Sequence, residues 1–599
     1  MGDRKGGAAS SSRKNTNPQR PRKRKQAGES PPDFQISSTS AFSIFAAVNL
    51  LAATYAPIQD CDEVFNYWEP THYLNHGFGF ETWEYSSEYA IRSWLYIVIH
   101  ALPGKLGSLF LSKRRFEFYL IRGILGCICA GCETRLFSTI SRSISPRVAL
   151  NFLITMATAS GMFHASVAYL PSSFAMYTTM MGMVAFIDTE GGLKTNKGIM
   201  WFGIGATVGW PFAAALVMPF LLQELVFAKL TGNVSEMAHR IIDGGVRTMI
   251  IVPFQIGVDM FFYHKILFVP WSIVSYNVFS GSSRGPDIFG TEPWHFYIRN
   301  LLLNFNAWFL LAMCAGPMLL LPSLTKQQPI VGTPLWRSMI YVTPFYMWLA
   351  IFSAQAHKEE RFMYPAYPLL CFNAAIAMHV VLFYLRRSDR NVILGKSPAK
   401  VKLLFATSGV LLAVMAGVLR TVATASAYGA PLEIYKPLQT PEFADTEGAV
   451  CLGKEWYRFP SSYFLPKKMR ARFVKSAFDG LLPGQFSETT NSFGIYTTWL
   501  VPPGMNDQNI EDPGKHVDIA HCSFIVDSYF ADSEPSSLEP NYVLDTKTWE
   551  EMQCQSFLDA SKTHPLSRIF WIPELKIIPA RYRRKWGRYC LLRRKSSTN

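Results

Sequence analysis

The sequence is poor in charge: Asp, Glu, Lys and Arg make up only 17% of its 599 residues. Soluble domains carry about 25%. The shortfall excludes the string of three or four soluble domains that this length would otherwise accommodate. An apolar share of 49% excludes fibrous and wholly disordered chains as well. Cations are also missing locally, since no Lys or Arg occurs between Lys25 and Arg92. Nor do the 12 histidines fall at a convincing ligand spacing, so no metal or other cofactor is expected.

The charge that is present sorts by region. Residues 1–37 hold nine Lys/Arg against three acids, residues 38–422 hold 28 against 20, and residues 423–599 hold 21 against 20. The chain thus divides into a basic tail, a charge-poor body and a C-terminal region with the charge density of a soluble domain. The tail has almost no large apolar residue to offset chain entropy, so disorder is expected. Its run Arg20-Pro-Arg-Lys-Arg-Lys25 has the composition of a nucleic-acid patch. Ahead of a membrane body it serves better as a cytosolic anchor of topology, and no secretory cleavage site follows it. The net charge of +15 therefore implies membrane lipid, not nucleic acid, as a partner.

The body reads as transmembrane helices of about 20 apolar residues each. About eleven are expected, at 41–58, 91–111, 116–137, 147–168, 171–188, 200–228, 247–264, 295–322, 335–355, 364–385 and 402–422, with a possible break at Trp210-Pro211. With the tail cytosolic, the cytosolic connections carry about fifteen Lys/Arg and the opposite loops about eight. Loops 59–90, 265–294 and 356–363 then share the far face with residues 423–599. Polar sequence concentrated on one face marks an enzyme or transporter. The sequon Asn233-Val-Ser235 falls on the cytosolic side and is expected to carry no glycan.

Loop 59–90 holds seven acids and no Lys or Arg, among aromatics that include Trp68, Trp83, Tyr85 and Tyr89. Such rings suit a membrane interface. If 62–69 is helical, Asp62, Asn66 and Glu69 share one face. Adjacent carboxylates repel and raise at least one pKa, as a general base requires; a solvated acidic turn is the alternative. A metal on Asp60, Asp62 and Glu63 is the weaker option. In His357-Lys-Glu-Glu-Arg-Phe362, the residues Lys358, Arg361 and His357 either clamp a phosphate or snorkel to the interface. Arg92 is a further anion partner. The stretch Ser280–His295 reads as a shaped Gly/Pro loop, with Trp294 and His295 placed to stack a sugar or anchor in the interface. Within the spans, Cys127, Cys129 and Cys132 read as buried thiols, and Arg122, Glu133 and Arg135 are expected to pair. Cys451, Cys522, Cys554 and Cys590 can make one or two disulfides of unreadable pairing.

His357-Lys-Glu-x-Arg-Phe362 and the pair Asp62-Glu63 resemble the dolichyl-phosphate-mannose-dependent mannosyltransferases of glycosyltransferase family 22. Several stretches are similar to those members that form alpha-1,2 linkages in endoplasmic-reticulum assembly of the asparagine-linked glycan, adding its seventh and ninth mannoses. They are Asp60-Cys-Asp-Glu-Val-Phe-Asn-Tyr-Trp-Glu-Pro-Thr-His72, Thr82-Trp-Glu-Tyr-Ser86, Tyr89-Ala-Ile-Arg-Ser93, Leu170-Pro-Ser-Ser-Phe174, Gly290-Thr-Glu-Pro-Trp294 and Lys454-Glu-Trp-Tyr-Arg-Phe-Pro-Ser-Ser462.

The resemblance implies the GT-C fold, a mostly α polytopic membrane helix bundle over 38–422 with a mixed α/β lumenal domain over 423–599. It also implies dolichyl-phosphate mannose as donor and a dolichyl-diphosphate-linked oligosaccharide as acceptor. A beta-linked donor and an alpha product make the transfer inverting, so one base suffices, and a phosphate leaving group needs no general acid. Asp62 is the expected base, with Glu63 orienting it or exchanging that role and Asp60 third. His357, Lys358, Arg361 and Arg92 are expected on the donor phosphate, and Trp294, His295, Glu69 and Trp68 in the acceptor cleft. Another linkage within the family (an alpha-1,6 branch or a glycolipid-anchor acceptor) is the alternative enzyme. A lipid or solute transporter is the alternative class, against which stands the absence of a repeat relating the two halves.

Overall fold

Each of the eleven apolar stretches carries helix. The computed structural model describes residues 35–110, 113–281, 284–324, 334–386, 397–490, 497–531 and 533–595, so the basic tail run lies outside them. Among the described residues, six helical stretches are long and apolar enough to cross a membrane: Ser38–Tyr55, Pro211–Thr231, Val234–Tyr263, Phe296–Leu321, Glu360–Arg386 and Lys400–Tyr428. Of the other expected spans, Arg114–Ser143 and Leu335–Ala354 are continuous helices of 30 and 20 residues that fall short in apolar character, and the rest are shorter or interrupted. Trp94–Ser108 has 15 residues and Pro171–Ile187 has 17. Pro146–Thr158 stops at the extended residue Ala159 before Ser160–Ala165 resumes. Start signals are the ordinary ones: Ser37 and Ser145 accept N-cap hydrogen bonds from Ser40 and Arg147, and Pro146 and Pro171 open first turns.

The expected break at Trp210-Pro211 is present. Helix Thr195–Ile204 widens into a π turn at Gly205–Gly209, Trp210 is extended, and a 3-10 turn Pro211–Val217 leads into Met218–Thr231. Pro211 has no N–H to continue the ladder. Two expectations fail. The far-face loop 265–294 contains a helix, Val269–Phe279, with Pro270 in its first turn. Arg122, Glu133 and Arg135 do not pair: Arg122 donates to Ala56 O at 2.9 Å, Glu133 accepts from Asn49 at 3.0 Å, and Arg135 is exposed.

Residues after the last span build a five-stranded sheet in the order Met469–Phe473, Gly448–Leu452, Phe524–Tyr529, Trp586–Arg594, Trp549–Leu558. Its first three strands run parallel and the remaining pairings are antiparallel. Two disulfides, Cys451–Cys522 and Cys554–Cys590, tie it together. The boundary expected at 422 falls inside helix Ala399–Tyr428. Residues 36–599 form one compact unit. Its core runs from loop 59–90 into the sheet region, where Phe65 meets Phe473, Phe459 and Trp456 with ring centroids 6.0–6.5 Å apart.

Candidate active site

Loop 59–90 is mostly helical. Asp60 caps the turn Cys61–Glu63 by accepting from Asp62 N at 2.9 Å. A π turn follows at Val64–Trp68, then helix Glu69–His76, closed by Gly77 at φ 81°. A side chain at 77 would meet Thr489 O at 1.9 Å, so only glycine fits. The wide turn breaks the single face expected of Asp62, Asn66 and Glu69. Asn66 and Glu69 point inward and are fully buried, whereas Asp62 retains 38% of its side-chain exposure.

Two elements far apart in sequence meet at Asp62. Segment His357–Phe362 crosses above it, and Arg361 binds three carboxylates: Asp62 at 2.6 Å through Nη2, Asp60 at 3.2 Å through Nη1 and Glu359 at 2.5 Å through Nε. All three guanidinium nitrogens of Arg361 thus face a carboxylate. The pair of aspartates is driven apart in acidity. Burial, assisted by Asp62 and Glu359, raises Asp60 to about 7 against the pull of Arg361. For Asp62 burial also pushes upward, but Arg361 and Arg92 together outweigh it and keep the carboxylate ionised. Oδ1 of Asp62 makes no bond among the described residues. Arg92 is held in a two-pronged pair by Glu84 at 2.7 and 3.0 Å.

Several expected roles are displaced. Glu63 is buried, accepting from Trp68 Nε1 at 3.0 Å and Tyr169 N at 3.1 Å, so it faces the bundle and neither orients nor replaces Asp62. Trp68 is fully buried, and Glu69 accepts from Phe80 N, Ser462 N and the hydroxyls of Ser461 and Ser462 at 2.6–2.9 Å. Neither can touch an acceptor. The ammonium of Lys358 is buried and donates to the backbone oxygens of Glu292, Gln355 and Ala356, so its three donors stitch loop 290–294 to the span end. His357 uses both ring nitrogens, on Gly290 O at 2.7 Å and Glu359 at 2.8 Å. Burial lowers its proton affinity, but those two acceptors override it and leave it raised. His357 therefore positions Glu359, and through it Arg361, and does not contact a phosphate.

The same stitching brings Trp294 and His295 beside the cluster. Trp294 is 66% exposed, free to meet a sugar face. Behind the cluster, Trp348 Nε1 donates to Phe362 O at 2.9 Å and the Trp210 ring lies 5.2 Å from Phe362. The broken span thus ends against the motif. Glu359 and Glu84 were assigned no role by sequence reasoning, although Glu359 lies within the recognised motif. Asp60, Cys61 and Asp62 also place potential metal-ligand atoms within 4.8 Å of one another. Both aspartates already bind Arg361, which supplies the positive charge there.

An ionised carboxylate, Asp62, thus meets an arginine drawn from a distant segment at the edge of the helix bundle. Residues 40–466 match the Alg9-like mannosyltransferase family, and the chain belongs to it. It is 40% identical to alpha-1,2-mannosyltransferase alg9 of Schizosaccharomyces pombe, over 94% of this chain and 96% of that relative. It is 36% identical to alpha-1,2-mannosyltransferase ALG9 of Homo sapiens, over 90% of this chain and 86% of that one. Among solved structures, it is similar to ArnT from Cupriavidus metallidurans bound to undecaprenyl phosphate, with a TM-score of 0.46 at 11% identity, covering 74% of this chain and 87% of that one.

Proposed function

We propose that the chain transfers mannose from dolichyl-phosphate mannose to a 2-hydroxyl of a dolichyl-diphosphate-linked oligosaccharide. The product is an alpha-1,2 linkage, made in the endoplasmic-reticulum lumen during assembly of the asparagine-linked glycan precursor. One observation carries this reading: Arg361 holds Asp60, Asp62 and Glu359 together, so a carboxylate base and an anion-binding guanidinium share one site. The acceptor oxygen attacks the anomeric carbon from the face opposite the phosphate. The C–O bond forms as the bond to the donor phosphate breaks, with inversion. The hydroxyl proton passes to Oδ1 of Asp62, and the electron pair leaves with dolichyl phosphate.

Arg361, with Arg92 beside it, stabilises the charge that gathers on the leaving phosphate. Two guanidinium groups supply this without a metal or cofactor in the proposed scheme. Trp294 and His295 line the approach of the acceptor. The base and the sheet region share the lumenal face, and the tail is cytosolic. The test is an assay of the full chain in proteoliposomes with dolichyl-phosphate mannose and defined lipid-linked acceptors. A mannosylated product sensitive to an alpha-1,2-specific mannosidase is expected. A resistant product rejects the linkage, and movement of lipid without transfer rejects the enzyme.

A further inference from the structure

The near-neutral balance of the C-terminal region conceals an island. Residues 565–586 carry six Lys/Arg against one acid, while the rest of 423–599 carries 15 against 19. The island combines charge with exposed apolar side chains: Trp571 is 37% exposed, Leu575 55% and Ile577 88%. A soluble surface rarely spends large apolar residues this way.

Its attachment explains the composition. The short helix Pro565–Ile569 and the loop after it fold back along the last span, Ala399–Tyr428. Trp571 N donates to Leu419 O at 3.0 Å, and Arg584 donates to Ser426 Oγ at 2.7 Å. Leu419 lies nine residues before the helix end, about 14 Å at 1.5 Å per residue. The 30-residue helix is about 45 Å long, whereas the hydrocarbon core is about 30 Å thick. A centred helix therefore places Leu419 inside the apolar boundary and Ser426 among the headgroups. The loop is carried to the same depths. Nη2 of Arg584 is buried and without a partner among the described residues.

We propose that residues 565–586 form an interfacial anchor that dips into the bilayer. Leu575 and Ile577 lie among acyl chains, Trp571 lies just inside the boundary beside Leu419, and Arg568, Lys576 and Arg581 engage anionic lipid headgroups. Apolar insertion combined with basic flanks is how peripheral segments hold a membrane surface. The anchor fixes the height of the sheet region above the bilayer. This inference rests on the membrane placement of the span and is independent of the transfer reaction.

The test replaces Ile577, one position at a time with reference sites, by a photoreactive benzophenone amino acid in the full chain in proteoliposomes of alkyne-tagged lipid. Phe405, 71% exposed on the span, is the lipid reference, and Asp445, 93% exposed, is the aqueous one. Position 577 is expected to form lipid adducts at the level of 405, with none at 445. Adducts at 405 but not at 577, or protein adducts at 577, overturn the anchor. Position 575 repeats the measurement should the 577 variant not fold. The adduct yield at 577 should be several-fold higher with phosphatidylserine than with phosphatidylcholine, and Arg568→Gln with Lys576→Gln and Arg581→Gln should remove the preference. An equal yield from both lipids overturns the headgroup contact.

Discussion

Asp62 and Glu69 stand seven residues apart in one acidic loop, yet their surroundings are opposite. Asp62 is partly exposed, paired with Arg361, and has one oxygen without a bond among the described residues. Glu69 has no exposure, and both its oxygens are filled by two backbone amides and two serine hydroxyls. The π turn between them is what separates the two, rotating the chain so that one carboxylate faces outward and the next faces the core. A carboxylate that keeps one oxygen open can take a proton. One whose acceptor sites are saturated can only hold structure.

The largest expected effect tests the first half of that contrast. Asp62→Asn should lower transfer about 10³-fold, the middle of what a positioned base contributes, with the melting temperature unchanged. Near-native turnover would remove Asp62 from the base role. Arg361→Ala should cost about 100-fold in kcat/KM through weaker hold on the leaving phosphate, and Arg361→Lys should recover part of it. Donor titration that shows an unaltered KM and kcat in the alanine variant rejects the phosphate role. Glu69→Gln should do the reverse of Asp62→Asn. It turns an acceptor toward amide donors and should destabilise the fold by about 2–3 kcal/mol, while the folded fraction keeps its turnover; denaturation monitored alongside activity separates the two.

The smallest effect lies in pH. Asp60 is raised to about 7, so it is neutral below that pH and anionic above. As an anion it competes with the donor phosphate for Arg361. The donor KM should therefore rise a few-fold from pH 6 to 8 and stay flat in Asp60→Asn. A slope that persists in the variant assigns the titration elsewhere.

The helices were legible because a span must be an apolar run, and the break at Trp210-Pro211 because proline cannot continue a helix. The motif residues Asp62 and Arg361 were legible by their chemistry, and the structure joins them directly. What sequence left hidden depended on distant partners. Nothing within loop 59–90 signals that Glu69 will be met by Ser461 and Ser462, 392 and 393 positions later. Lys358 reads as a free cation until three backbone oxygens from two segments surround it. The helix Val269–Phe279 had a local signal, Pro270 in its first turn, which was masked by the Gly-rich stretch after it.

The closure of Glu69 by Ser461 and Ser462 also sets a schedule for biogenesis. The loop bearing Asp62 emerges near the start of synthesis, but the residues that seat it arrive only after every span has been made. Until then the loop lacks its clasp, and Asp62 lacks Arg361 for most of that interval. A chain stalled or cut before residue 461 would hold the sequence of the site without its geometry. The site is thus assembled late in synthesis.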